Sequence, residues 1–222
     1  MSLPAPYYQD EAVTIYHGDC REILPLLPPV DLVLTDPPFG VALNTDNRRF
    51  SGGHTAARHG NGVGSYGGRP ITGDDEPFDP RHLLNYGEHQ VIWGWNNFPD
   101  RLPAGACLAW IKRNDEAFGS FLSDAELAWM SKGRGVYCFR DLSNNAIARE
   151  RLHPTQKPLP LMKWCLGFFP KARHVLDPYM GSGSTLRAAK DLGLHAIGIE
   201  IEEENCEKAA RRMAQSVLPL EA

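Results

Sequence analysis

Short apolar runs alternate with amphipathic stretches along this chain, and the alternation predicts strands interleaved with helices. Branched and aromatic residues cluster into seven candidate buried strands, at 13–16, 32–35, 90–95, 106–111, 136–139, 174–177 and 196–200. Helices are predicted over 22–27, 80–87, 124–130, 159–169, 186–192 and 202–215. This order favours a mostly parallel sheet with helices on both faces. We therefore predict an α/β fold formed by a single domain, residues 1–222.

The candidate strand at 32–35 ends at Asp36, and a stiff turn follows. Pro37 and Pro38 have no N–H and a fixed φ, so the turn cannot continue the sheet. The Asp36 carboxylate and the Pro37 carbonyl are therefore acceptors on a rigid turn, with the ring of Phe39 beside them. Such a site suits a flat ring with an exocyclic amine, which donates both hydrogens while the ring stacks. The alternative is a proline turn that only ends a strand, with Asp36 as a solvated cap.

A second candidate site follows the strand at 174–177. Asp177 leads into a loop with Gly181 and Gly183, and the next strand ends at Glu200. The glycines let the backbone approach a ligand, and a terminal acid is placed to take ribose hydroxyls. No G-x-G-x-x-G seats a pyrophosphate, and no Gly-Lys-Ser/Thr seats a triphosphate. A nucleoside without phosphates remains, and S-adenosylmethionine fits. If the two strands are neighbours, both loops face one crevice.

Charge is unevenly distributed, which bears on a polyanionic partner. The net charge of −4 argues against a nucleic-acid binder that relies on charge alone. A flexible, glycine-rich loop is predicted at about 41–73, and it has no acidic residue from 47 to 73. We expect it to order on a polyanion through four arginines: Arg48, Arg49, Arg58 and Arg69. A disordered surface loop is the alternative. Three further basic residues are candidates for phosphate contacts, with a solvated surface charge as an equal alternative: Lys132, Arg134 and Arg140.

The sequence predicts neither a metal site nor a membrane-spanning segment. The five cysteines include no C-x-x-C and the eight histidines lack ligand spacing, so we predict reduced thiols and no metal site. No apolar run approaches the length of a bilayer span, and the N-terminus lacks a basic region followed by an apolar one. A cytoplasmic protein without a membrane partner is the expectation.

Four motifs in combination resemble those of beta-class DNA amino-methyltransferases, which make N6-methyladenine or N4-methylcytosine. Asp36-Pro37-Pro38-Phe39 matches the catalytic D-P-P-[YF] of that family. Residues 177–185 are similar to its donor loop D-P-F-x-G-S-G-T-T, with Tyr for Phe and Ser for the first Thr. Residues 153–158 match its H-P-T-Q-K-P turn, and residues 18–20 match its G-D-C. The order, with the catalytic turn early and the donor loop late, is that of the beta class.

The resemblance implies a Rossmann-like, S-adenosylmethionine-dependent methyltransferase domain with a seven-stranded sheet, acting on a base flipped out of DNA. The implied catalytic residues are Asp36, Pro37, Pro38 and Phe39. The residues implied around the donor are Asp19, Cys20, His153, Thr155, Gln156, Lys157, Asp177, Pro178, Tyr179, Gly181, Ser182, Gly183, Ser184, Thr185 and Glu200. Dimers are common among similar enzymes, so a homodimer is left open.

Alternatives differ in the substrate. D-P-P-F resembles adenine enzymes more than the S-P-P-Y common among cytosine enzymes, so N6-adenine is favoured over N4-cytosine. Protein-glutamine methyltransferases resemble N-P-P-Y with the donor loop first, which this chain reverses. A non-catalytic nucleic-acid-binding module would not need both intact motifs, and an oxidoreductase lacks its dinucleotide fingerprint. Only residues 141–152 stand where relatives usually carry a target-recognition segment, which puts a long, stringent target sequence in doubt.

Overall fold

The computed structural model describes residues 2–41, 72–119, 123–141 and 156–215. Within them, nine strands form one sheet with the spatial order β1-β2-β9-β8-β3-β4-β6-β5-β7. The strands are β1 (Tyr8–Gln9), β2 (Val13–His17), β3 (Val30–Thr35), β4 (Gly87–Trp93), β5 (Ala106–Ile111), β6 (Ala125–Met130), β7 (Val136–Arg140), β8 (His174–Asp177) and β9 (His195–Glu200). The α-helices are α1 (Cys20–Ile23), α2 (Leu159–Gly167), α3 (Ser184–Asp191) and α4 (Glu203–Ala214).

Seven of the described strands run in one direction, and β1 and β6 run against them. The predicted α/β class and the mostly parallel sheet are therefore confirmed. The sheet has nine strands rather than the seven expected. The two extra strands are β6 and the short β1, whose pairing with β2 begins at Tyr8 opposite Ile15.

The helix predicted over 124–130 is wrong, because this segment forms strand β6. Leu127 and Met130 share one face of a helix, which favoured that interpretation. In the structure Ala128, Trp129 and Met130 are buried, and the segment pairs with β4 on one side and β5 on the other. A central strand satisfies its backbone through two neighbours, so tertiary pairing overrides the local spacing. The helix predicted at 80–87 is a 3-10 helix, Pro80–Asn85.

The core has two layers, one on each face of the sheet. Successive strand residues point to opposite faces, so Leu32 and Leu34 join one layer while Val33 joins the other. Buried residues of α2, α3 and α4 complete the first layer. Buried residues of α1 and of the 3-10 helix complete the second. The prediction of helices on both faces is confirmed.

The pairing of β3 with β8 brings the two predicted motifs together. The strands are parallel neighbours, with Leu32 opposite Val175 and Val33 opposite Leu176. Asp36, just after β3, and Asp177, at the end of β8, therefore lie at the same edge of the sheet. Strand β6 runs the other way, so its first residues lie at this edge as well. In the described part of the chain, no helix has the length and apolar character to cross a membrane.

The contact between Gly105 and β6 tests this arrangement. A Cβ at Gly105 would lie 2.2 Å from Nε1 of Trp129 and 2.5 Å from the carbonyl oxygen of Met130. That indole nitrogen donates to the Pro103 carbonyl oxygen at 2.9 Å. We expect Gly105→Ala to lower the free energy of unfolding in urea by about 1–3 kcal/mol, because the added atom would overlap the buried Trp129 side chain. Gly167→Ala is the matched control, since a Cβ there meets nothing within 4 Å. Equal stability of the two variants would contradict the packing of β6.

Candidate active site

A cleft of about 360 Å³ opens at the carboxyl edge of the parallel strands. It brings together the turn after β3, the loop after β8 and the end of β9. Fourteen of the residues predicted from the motifs line it: Asp19, Cys20, Asp36, Pro38, Gln156, Lys157, Asp177, Pro178, Tyr179, Gly181, Ser182, Ser184, Thr185 and Glu200. Two motifs that are 141 residues apart in sequence, at Asp36 and Asp177, therefore share one cavity.

Asp177 anchors the floor of the cleft. Its Oδ1 accepts hydrogen bonds from the Thr35 hydroxyl at 2.7 Å and from the Tyr179 N–H at 3.2 Å. Burial raises the pKa of this carboxyl to about 6, although hydrogen bonds from Thr185 and Thr35 oppose the rise. Asp177 thus joins the end of β3 to the loop after β8. Its hydrogen bonds make it a structural anchor as well as a wall of the cavity.

Glu200 shapes the rim of the same cavity. Its two carboxylate oxygens accept from the Gly181 N–H at 2.9 Å and from the Glu202 N–H at 2.8 Å. The side chain is buried, which raises its pKa. The Asn205 side chain also hydrogen-bonds this carboxylate, and the acceptor capacity that remains can serve a ligand hydroxyl. Gly181 has a φ of +50°, a conformation that favours glycine.

Aromatic rings form one wall. The ring of Tyr179 packs edge-on against Phe78 with centroids 5.5 Å apart, and its hydroxyl lies 3.2 Å from Nε2 of His82. Burial lowers the pKa of His82 and raises that of Cys20. The sequence prediction had no place for Phe78 or His82. Both belong to segments with the pattern of an ordinary turn and helix, so no local signal marks them.

Asp36 is held by a buried lysine at the opposite end of the cleft. Nζ of Lys157 lies 2.5 Å from Oδ2 of Asp36, and the lysine side chain is only 5% exposed. Burial raises the pKa of Asp36, and the ammonium of Lys157 opposes that rise. Lys157 was predicted as a donor-binding residue. It lines the cleft, but its charged end is bonded to the Asp36 carboxylate.

Two further charged residues of this end were missed from sequence. Glu126, at the start of β6, accepts from Nζ of Lys157 at 3.0 Å and from Nζ of Lys112 at 2.8 Å. Burial disfavours the charged form of Glu126, but the two ammonium groups outweigh it and lower its pKa to about 2. The sequence signal for Glu126 was an acid next to an apolar run. Because that run was predicted to be a helix, the acid was not placed at the edge of the sheet.

The turn after Asp36 is clamped by a second aspartate. Oδ1 of the buried Asp74 accepts from the backbone N–H groups of Phe39, Gly40 and Val41 at 2.9, 2.8 and 3.3 Å. Gly40 has a φ of +72°, and a Cβ there would lie 2.2 Å from the carbonyl oxygen of Glu76. The turn is thus fixed by a carboxylate as well as by its prolines.

Several predicted residues lie elsewhere or outside the described ranges. Pro37 is buried, and Phe39 packs closely on Gly94, where a Cβ would come within 2.1 Å of the ring. Gly183 is the N-cap residue of α3, with a φ of +76°. Two donor-site predictions, all four arginines and nearly all of the 41–73 loop lie outside the described residues: His153, Thr155, Arg48, Arg49, Arg58 and Arg69.

The three weaker phosphate candidates bond to the protein itself. Lys132 donates to the Phe168 carbonyl at 3.1 Å, and Arg134 donates to the Ala104 carbonyl. Both follow the end of β6, at the edge of the sheet away from the cleft. Arg140, at the end of β7, pairs with Asp115 at 2.8 Å. The first two are therefore poorly located for a substrate that enters this cleft. Among the described residues, no cluster of three or more His, Cys, Asp or Glu side chains is suited to a metal ion.

Sequence similarity relates this chain to known DNA methylases. A family model described as a DNA methylase matches residues 128–211, which include the donor loop. The protein named "Putative methylase YubD" of Escherichia coli strain K12 is 30% identical over 226 residues, covering 89% of this chain and 88% of that protein. The chain belongs to the DNA amino-methyltransferase family. The type II methyltransferase M.HindIII of Haemophilus influenzae is 53% identical over 49 residues, 22% of this chain and 16% of that enzyme.

Solved structures share the fold of this family member. The PvuII DNA methyltransferase, which is cytosine-N4-specific, superposes with a TM-score of 0.57 at 15% identity, covering 96% of this chain and 90% of that one. M1.HpyAVI gives 0.52 at 22% identity, with coverages of 91% and 100%. TTHA0409 of Thermus thermophilus gives 0.54 at 20%, with coverages of 93% and 96%. The nine-stranded sheet is thus a variant of a known methyltransferase architecture.

The Asp74 clamp generates a stability prediction. Asp74→Ala removes the acceptor of three backbone N–H groups in a partly buried turn, so we expect the free energy of unfolding in urea to fall by about 1–3 kcal/mol. Asp75→Ala, an exposed neighbour, is the control and should change it by less than about 0.5 kcal/mol. If both variants unfold like the wild type, the turn does not depend on this carboxylate.

Proposed function

We propose that this methyltransferase transfers a methyl group from S-adenosylmethionine to the exocyclic N6 amine of an adenine flipped out of DNA. The observation that carries the proposal is the shared cleft. The acceptor turn at Asp36 and the carboxylate of Glu200 beside the Gly181 N–H open into the same cavity. A methyl donor and an aromatic amine would therefore meet inside it.

The residues around Glu200 fit a nucleoside that carries no phosphate. The rim presents a carboxylate for paired hydroxyls, and Tyr179 and Phe78 offer an aromatic wall for a purine ring. The methyltransferase M1.HpyAVI and the methylase TTHA0409 have both been crystallised with S-adenosylmethionine, which supports the same donor here. When bound, this donor supplies a methyl carbon on a positively charged sulfur, so that a nitrogen lone pair can form the new bond as the C–S pair returns to sulfur.

The turn at Asp36 is assigned the task of orienting the amine nitrogen of the base. An aromatic amine is a weak nucleophile because its lone pair is delocalised into the ring. We assign Asp36 and the Pro37 carbonyl to the two N–H groups, which favours a pyramidal nitrogen with its lone pair aimed along the cleft. Asp36 is also the base that we assign to the proton shed by the methylated nitrogen, and its raised pKa suits that task. Phe39, next to the turn, is the ring that we assign to base stacking.

The identity of the base is the finer part of the proposal. Adenine is favoured because the turn is D-P-P-F. N4-cytosine is the alternative, since both amines are exocyclic and donate two hydrogens. The structural comparison includes a cytosine-N4-specific enzyme, which keeps that alternative open.

Nucleoside mass spectrometry of DNA incubated with enzyme and donor tests the function directly. We expect N6-methyldeoxyadenosine with the wild type and none with Asp36→Ala, because that variant loses the acceptor that orients the amine. Its affinity for S-adenosylmethionine, measured by calorimetry, should stay within about twofold, since the donor end is untouched. Asp100→Ala, an exposed acid, is the control. N4-methyldeoxycytidine would transfer the proposal to the alternative base, and full activity of Asp36→Ala would remove the mechanism.

Phosphate contacts are assigned to the arginines of the 41–73 loop. The triple variant Arg48→Ala, Arg49→Ala and Arg58→Ala should weaken DNA binding and reduce the slope of log K against log salt by about one for each lost contact. Fluorescence anisotropy over a range of NaCl concentrations measures the slope. The matched control replaces Lys132 and Arg134 with Ala, because these two lie at the far edge of the sheet. A slope equal to that of the wild type in the triple variant would assign the arginines another role.

A further inference from the structure

Four side chains of alternating charge form a row that ends at Asp36. Lys112 lies 2.8 Å from Glu126, Glu126 lies 3.0 Å from Lys157, and Lys157 lies 2.5 Å from Asp36. Lys112 and Asp36 directly follow β5 and β3, Glu126 lies at the start of β6, and Lys157 precedes α2, so the row connects four elements. Its two positive and two negative charges cancel, which lowers the cost of burying Lys157.

The two oxygens of Asp36 have different surroundings. Oδ2 accepts from Lys157, whereas Oδ1 is buried and has no hydrogen-bond partner among the described residues. A buried carboxylate oxygen without a donor is costly. The amine hydrogen of an acceptor base is the donor that would satisfy it. Lys157 therefore fixes which oxygen stays available.

Glu126 determines how strongly Lys157 holds Asp36. With Asp36 as its only anionic partner, the buried ammonium would bind that carboxylate tightly and make it a poor base. Glu126 shares the ammonium through its own oxygen at 3.0 Å. It also leaves Lys157 with a counter-ion once Asp36 has bound a proton. Uncompensated burial of the ammonium is thereby avoided.

We propose that Glu126 is a positioning residue of the methyl-transfer site, which acts through Lys157 to keep Asp36 oriented and basic enough to serve the incoming amine. The inference rests on the proposed function and deepens it. Glu126 itself contacts neither of the reacting groups in this assignment. Lys112 supports it by occupying the other carboxylate oxygen of Glu126.

Lys157 and Glu126 have opposite effects on the pKa of the Asp36 carboxyl. Lys157 and Lys112 lower the pKa of the Asp36 carboxyl and Glu126 raises it, against a background of burial. Asp177, at the end of the neighbouring β8, also interacts with Asp36. Neutralising Glu126 should therefore lower this pKa, and neutralising Lys157 should raise it. Shifts of opposite sign would show that both charges are coupled to the Asp36 carboxyl.

Carboxyl NMR measures this directly and needs no substrate. Protein labelled with 13C at the aspartate carboxyl carbons is titrated, and Asp36 is assigned from the signal missing in Asp36→Asn. We expect the Asp36 pKa to fall by about one unit in Glu126→Gln and to rise by about one unit or more in Lys157→Gln. The double variant Glu126→Gln with Lys157→Gln, which keeps the row neutral, guards against failure of Lys157→Gln to fold and should lie between the two. Glu88→Gln, 75% exposed, is the control and should not move the signal.

Single-turnover kinetics then connect the row to methyl transfer. In Glu126→Gln the rate should fall about tenfold at neutral pH, with its acid limb moved to lower pH, while affinity for S-adenosylmethionine stays within about twofold. Glu126→Asp, which retains the charge, should recover part of the rate. Shifts of the same sign in the two single variants, or none, would overturn the inference. Failure of the wild type to methylate DNA would overturn the proposed function instead, while the NMR result would still decide the coupling.

Discussion

The parallel pairing of β3 with β8 is the constraint on which the rest of the site depends. It puts the end of each strand at the same edge of the sheet, so that Asp36 and Asp177 open into one cleft. The Thr35 hydroxyl donates across the strands to Asp177 and reinforces the register. Parallel strands are joined by long crossover connections, so neighbouring strands can be far apart in sequence. Residues at their carboxyl ends therefore meet although many residues separate them along the chain.

Buried charge is the second organising feature. Around Glu200 and Asp177, carboxylate oxygens accept hydrogen bonds from backbone N–H groups and from a hydroxyl. Around Asp36, the carboxylates instead pair with ammonium groups, chiefly that of Lys157. Backbone N–H groups hold a carboxylate in a fixed orientation, which suits the binding of a ligand. A shared ammonium gives a carboxylate whose protonation responds to its neighbours, which suits a reaction that releases a proton.

Family membership narrows the chemistry more than it narrows the substrate. The family is that of DNA amino-methyltransferases, and the acceptors that we propose at the Asp36 turn suit any exocyclic amine of a flat ring. Adenine and cytosine differ in ring size and in the atoms beside that amine. Discrimination therefore falls to side chains that surround the base, which can come from parts of the chain distant from the turn.

The sequence by itself determined the α/β class, seven of the nine described strands within a few residues, and both cleft-forming motifs. It did so because those features are local: a buried run, a stiff Pro-Pro turn, a glycine loop between a strand and a helix. The helix prediction for 124–130 was wrong, because a central strand is stabilised by its neighbours and not by its own spacing. Only the tertiary structure decided the roles of Glu126, Lys112 and Asp74. Their positions follow from the reversed direction of β6 and from contacts across the fold, which leave no periodic trace along the chain.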